Sequence, residues 1–269
     1  MSTSLLTDPH MTTEQFFAML KSLNQFDEME VRGVVSSLVS QTDREICFLL
    51  VYDRAVANVA SLMTLTNRQH FQAISMLTRN MFELAVDINL IDLIPNSIAK
   101  MIAFSGVEKL RCAKKIVKFK TDYPTASVDD SIFSSFIAAE ENKINQHMAN
   151  LWPPAEQVRH WSGKKIGERV KLLGAPFNET YEVQYPQLSW HIHAGLTGVA
   201  NLNADTFTAI CGAANKSSTD SYEHILQSMI EEFKISIADP KIKNKLEVAK
   251  LLPFTKTTQE AKSLMQIVS

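Results

Sequence analysis

Between positions 67 and 92 the chain places Phe71, Ile74, Leu77, Met81, Leu84 and Ile88 three or four residues apart. That spacing follows the 3.6-residue period of an α-helix and gathers the six side chains into one stripe. The same period recurs along most of the sequence. No stretch alternates convincingly with period two; the one candidate, TFTAIC at 206–211, is short. Only 8 Gly and 9 Pro occur in 269 residues, which fits long helices joined by few tight turns. The pattern predicts an all-α fold, a single multi-helix bundle with a C-terminal helical tail.

The helices can be placed coarsely. One is expected over 13–25, capped by Thr12 or Thr13 and lined by Phe16, Phe17, Leu20 and Leu23. An apolar segment over 28–65 reads as one long helix or two, followed by the striped helix over 67–92 with Asn67 as its cap. Helices over 96–120 and 128–150 come next, the latter opened by Asp129 and Asp130. WPPAEQVRHWSG at 152–163 reads as a loop, and a short helix over 163–173 stops at Gly174. Pro186 suits the first turn of a helix running to about Asn203. NKSSTDS at 215–221 is polar and is expected to be a mobile connection before helices over 219–237, 240–251 and 257–267. This divides the chain into a bundle over 1–212 that carries any polar site, and C-terminal helices over 213–269 packed on it.

Composition removes several function classes. With 21% charged residues and a formal net charge of −2, this is neither a disordered chain nor a strongly basic nucleic-acid coat. Cys47, Cys112 and Cys211 are far apart and odd in number, so neither a disulfide framework nor a zinc knuckle is suggested, and a reducing, cytoplasmic setting is the simpler expectation. The N-terminal residues show no secretory signal. The most apolar window, 46–65, is interrupted by Asp53 and Arg54, so a buried helix is expected there and no membrane partner. There is no G-x-S-x-G elbow, H-E-x-x-H helix, phosphate loop or dinucleotide fingerprint, and no cofactor is expected.

What chemistry the chain offers lies in two helices. In YEVQYPQLSWHIHAG, Tyr181, Tyr185, Ser189 and His193 recur every fourth residue, which on a helix is one face. His191 is turned about 200° from His193 on a helix, so the pair does not chelate one metal there. In MLTRNMFELAVDI, Arg79 and Glu83 stand four apart within an otherwise apolar helix. A helix apolar nearly all round is buried, and a buried ion pair needs further hydrogen bonds. Tyr185, Ser189 and His193 could supply them, so one shared internal polar cluster is expected. It could be structural or functional.

The R-x-x-x-E helix, then Trp161, then Y-x-x-x-Y-x-x-x-S-x-x-x-H, in that order over about residues 30 to 210, resembles an uncharacterised prokaryotic all-helical family, domain of unknown function 5677. The resemblance implies an all-helical fold and a common cluster at those positions. It carries no activity with it.

Ribonucleases of prokaryotic defence and toxin systems use an arginine followed five to seven positions later by a histidine on one helix. No such pair occurs here. Arg79 and His193 from different helices could do equivalent work, with histidine as base on a ribose 2′-hydroxyl and arginine holding the phosphate. In this reading Glu83 orients Arg79, and Tyr185 and Ser189, with Tyr181 and Trp161 nearby, contact an RNA or nucleotide ligand. Two basic stretches could add phosphate contacts: Arg111, Lys114, Lys115 and Lys118, and, beside Trp161, Arg159, Lys164, Lys165, Arg169 and Lys171. Against this, both are explained by solvated surface, which the net charge favours. The reading from a different class is a non-enzymatic helical interaction module or homodimer whose polar cluster only holds the fold.

Overall fold

The structure is a computed structural model that describes residues 12–38, 41–65, 67, 70–153, 158–190, 204–255, 260 and 262–263. The protein is all-α, and no strand occurs among the described residues. Two compact units emerge: Met1–Asn89 with Leu173–Ser269, and Leu90–Leu172.

The first unit opens with α1 (Thr13–Phe26). Thr12 starts it with a capping box: its hydroxyl accepts the Gln15 N–H at 3.3 Å, and its own N–H donates to Gln15 Oε1 at 2.8 Å. A π-helical turn, Asp27–Val31, and the short α2 (Arg32–Ser36) follow. The segment expected as one helix or two is therefore broken, and a second capping box, Thr42 with Glu45, starts α3 (Asp43–Thr64). By length and composition α3 could cross a membrane. In the fold, its Cys47, Phe48, Val51, Tyr52, Ala55, Val59 and Leu62 are buried. Helix α4 (Phe71–Leu90) buries Phe71, Ile74, Met81, Leu84 and Ile88 of its anticipated stripe, while Leu77 is only half-buried.

Helix α10 (Ala204–Glu232) organises this unit; α1 runs along it and α3 packs against it. Here two expectations fail. TFTAIC is the helix's first turns, and NKSSTDS, expected as a mobile connection, lies mid-helix with Asn215, Ser217, Ser218, Thr219 and Ser221 all buried. Small hydroxyl side chains can bond to carbonyls of the preceding turn and to whatever packs against them. Thr219 Oγ1 donates to its own helix's Asn215 carbonyl at 2.7 Å, and it lies 3.2 Å from the Phe16 carbonyl of α1. Ser218 Oγ meets Thr78 Oγ1 of α4 at 2.8 Å. A run that looks like a linker is thus a polar seam between three helices. The boundary drawn at 212 falls inside α10.

The C-terminal α11 (Ile235–Ala238) and α12 (Ile242–Leu251) follow, and α12 packs against α1. Ile242 and Leu246 are buried, and Lys250 Nζ reaches Glu223 Oε1 of α10 at 2.7 Å. Burial opposes the charge on Lys250, but Glu223 outweighs it and holds the ammonium above its ordinary value.

In the second unit, α5 (Ser97–Asp122) and α6 (Ser131–Leu151) form a hairpin around Val107, Leu110, Ile144, Trp152 and Val158. Helix α7 (Ile166–Leu173) ends at Gly174, whose φ of +71° is the left-handed conformation that glycine adopts at low cost. Helices α8 (Phe177–Val183) and α9 (Tyr185–Trp190) return to the first unit.

Candidate anion-binding site

Helix α4 presents Arg79 and Glu83 one turn apart, and α9 begins with Tyr185 facing them. Arg79 Nε donates to Glu83 Oε1 at 3.1 Å and to the Tyr185 hydroxyl at 2.8 Å. That hydroxyl in turn donates to Glu83 Oε1 at 2.7 Å, closing a ring of three side chains. The Arg79 guanidinium also lies over the Tyr185 ring, its Cζ 4.8 Å from the centroid, a cation–π contact.

The ion pair is less buried than the apolar surroundings of α4 suggest: the Arg79 and Glu83 side chains are 31% and 33% exposed. Solvent screens it, and on its own such a pair contributes about 0–1 kcal/mol. Tyr185 is the buried member. Burial, and then its bond to Glu83, push its phenol above the ordinary value while Arg79 pulls the other way, so it remains a neutral donor at pH 7. Burial works against the charge of Arg79, but Tyr185 and Glu83 outweigh it, and the guanidinium stays cationic.

The Nε side of the guanidinium is thus fixed. Neither terminal nitrogen of Arg79 bonds to a described residue. A planar fork held by one edge, with its other donors unpaired among the described residues, has the geometry that takes a carboxylate or phosphate in bidentate fashion.

The remaining expected site residues divide. The Tyr181 ring lies 5.2 Å from that of Tyr185, tilted by 36°, although the chain breaks between α8 and α9 at Gln184. Ser189 does not enter the ring: its hydroxyl donates to the Tyr185 carbonyl of its own helix at 2.8 Å. His191 and His193 lie outside the described residues. Trp161 belongs to the second unit, where it is buried and its carbonyl accepts the Trp152 indole N–H at 2.9 Å.

Several of the expected phosphate-binding cations already have carboxylate partners. Arg111 bonds to Glu108 and to the Val158 carbonyl, Lys114 pairs with Glu141, and Lys118 reaches Asp122 at 2.7 Å. Lys115 and Lys165 are exposed and Lys164 is half-buried; the Lys165 N–H donates to Glu168 Oε2 at 2.8 Å where α7 begins. Arg169 is not surface at all. It is buried and its Nη1 donates to His160 Nε2 at 2.9 Å. These contacts suit a solvated, self-paired face better than a phosphate track.

A second cluster was not anticipated. Asp27, in the π-helical turn, is fully buried and accepts from the Tyr52 hydroxyl, from the Tyr222 hydroxyl at 2.8 Å and from Arg32 Nη2 at 2.7 Å. In sequence Asp27 sits in the acidic run FDEMEV and looks like surface. The available signal was Tyr52, which falls on the buried stripe of α3 and, as a buried phenol, requires a partner.

Residues 45–207 match the model of a family described as a family of unknown function, DUF5677. The match includes Arg79, Glu83, Tyr181, Tyr185, Ser189 and His193, while Asp27 and Tyr222 fall outside it. No curated protein and no solved structure matches the chain. With more than half of its length matched, the chain belongs to the DUF5677 family of unknown function.

Proposed function

We propose that Arg79 binds a phosphate group of RNA or of a nucleotide, and that the site cleaves RNA, in a defence or toxin setting, with His193 as its acid/base group. The observation that carries this reading is the orientation of Arg79: Glu83 and Tyr185 hold its Nε edge, and its terminal nitrogens have no partner among the described residues. Tyr181, stacked near Tyr185 and half-buried, adds an aromatic surface beside the cation.

In the cleavage step His193 removes the proton from a ribose 2′-hydroxyl. The 2′-oxygen forms a bond to phosphorus, the bond from phosphorus to the 5′-oxygen breaks, and the leaving oxygen takes a proton from solvent. The products are a 2′,3′-cyclic phosphate and a 5′-hydroxyl. Arg79 offsets the charge that accumulates on the phosphate oxygens. Tyr185, kept protonated, holds Arg79 and Glu83 in place and is not the base.

The test is an RNA-integrity assay with wild type, His193→Ala and Arg79→Gln, each shown to melt cooperatively, with and without divalent metal. Wild type is expected to cleave, and His193→Ala to lose about 10²- to 10⁴-fold, as removal of a general acid/base does. Intact RNA with all three proteins, and no nucleotide binding by wild type, would contradict the reading.

A further inference from the structure

Beside the Arg79 ring, α8 and α10 border a cleft of about 570 Å³, a volume within the range of small-molecule sites. Phe82 of α4 links the two places: it lines the cleft, and its ring lies 5.7 Å from that of Tyr185. Phe177 gives the cleft an aromatic wall and packs against His224 with ring centroids 4.7 Å apart.

The charges lining this space are largely cancelled in place. Lys216 Nζ meets Asp220 Oδ2 at 2.6 Å, and Glu223 is engaged by Lys250. Burial holds His224 below the ordinary imidazole value, so it is uncharged at pH 7. Among the described residues, no uncompensated cation lines the cleft to receive a phosphate.

Polar atoms there nevertheless lack partners. Ser217 is 1% exposed, lines the cleft, and its Oγ makes no hydrogen bond to a described residue; neither does the buried Oε1 of Gln184, which also lines it. Buried polar groups are rarely left unpaired, and in a cleft the missing partner is a ligand or ordered water. The combination calls for an uncharged planar molecule with apolar faces and hydrogen-bonding edges.

We propose that this cleft receives the base of a nucleotide whose phosphate lies on Arg79. The base half stands on the cleft alone; the phosphate half rests on the function proposed above. Base faces pack against Phe177 and Pro176, and the base edge meets Ser217, Gln184 and His224.

The experiment is calorimetric titration of the four ribonucleosides, their 5′-monophosphates and inorganic phosphate into wild type, Ser217→Val, Val183→Trp and Arg79→Gln. Val183 lines the cleft but is 57% exposed, so tryptophan there obstructs the mouth without entering the core and keeps the test decisive where Ser217→Val folds poorly. At least one nucleoside is expected to bind wild type, with its monophosphate about tenfold tighter or more. Val183→Trp should weaken both, and Arg79→Gln should remove only the monophosphate's advantage. Absence of nucleoside binding, or nucleoside binding indifferent to Val183→Trp, overturns the base cleft, even where phosphate still binds Arg79. A monophosphate advantage that survives Arg79→Gln overturns the phosphate half and the reading of Arg79, and leaves the cleft.

Discussion

The first unit contains two clusters built from the same chemistry, an arginine, a carboxylate and tyrosine hydroxyls, and they are arranged inside out with respect to each other. Around Asp27 the carboxylate is at the centre, fully buried, with Tyr52, Tyr222 and Arg32 donating to it. Around Arg79 the tyrosine is the buried member, while the guanidinium and the carboxylate each remain about a third exposed. The first arrangement consumes its charge internally and ties the π-helical turn to α3 and α10. The second leaves the terminal nitrogens of Arg79 without a partner among the described residues. Identical residue types therefore produce a structural clasp in one place and a candidate binding site in the other, according to which member is buried.

The largest effect expected from this contrast is at Asp27. Removing the carboxylate in Asp27→Ala leaves two phenols and Arg32 without their common acceptor, and breaking a buried charge network costs about 3–5 kcal/mol. Denaturant unfolding checks this, and a loss below about 1 kcal/mol would erase the distinction between the clusters.

High pH should act through the same residues. Burial, reinforced by the charge of Asp27, raises the Tyr52 and Tyr222 phenols above their ordinary value. Above about pH 10 the unfolded chain releases protons that the folded chain retains, so stability is complete below that pH and falls as pH rises further. Phenolate absorbance followed against pH should show Tyr52 and Tyr222 ionising together with unfolding, and Tyr222→Phe should make the decline shallower. Free titration of all five tyrosines before unfolding would count against a closed clasp.

Arg79→Gln is expected to cost about 1 kcal/mol or less in stability, because its ion pair is solvent-screened. Melting curves of Arg79→Gln beside Asp27→Ala would rank the two directly. The smallest effect belongs to Ser189→Ala, within about 0.5 kcal/mol and without change in ligand binding, because among the described residues that hydroxyl bonds to its own helix alone.

Sequence periodicity was informative where each residue answered to its own helix. The Thr12 cap, most of the α4 stripe, the stop at Gly174 and the meeting of Arg79, Glu83 and Tyr185 all follow from spacing and from the need to satisfy polar groups among apolar neighbours. It failed where long-range packing overrides local character. NKSSTDS reads as a linker until α1 and α4 supply partners for its hydroxyls, and Asp27 reads as surface until a π-helical turn and two tyrosines from distant helices enclose it. Ser189 likewise stays out of the ring although it follows Tyr185 by four residues on α9, because its hydroxyl donates to the Tyr185 carbonyl of its own helix.

The most direct test of the contrast is a phosphate titration, followed by phosphorus NMR or calorimetry, of wild type, Arg79→Gln and Arg79→Lys, with melting temperatures recorded for each. The inside-out arrangement predicts that wild type binds, that Arg79→Gln does not, that Arg79→Lys binds more weakly because it lacks the planar fork, and that all three melt close together. Equal phosphate binding by wild type and Arg79→Gln, or a collapse in the melting temperature of Arg79→Gln to match Asp27→Ala, would show that the second cluster is a clasp like the first.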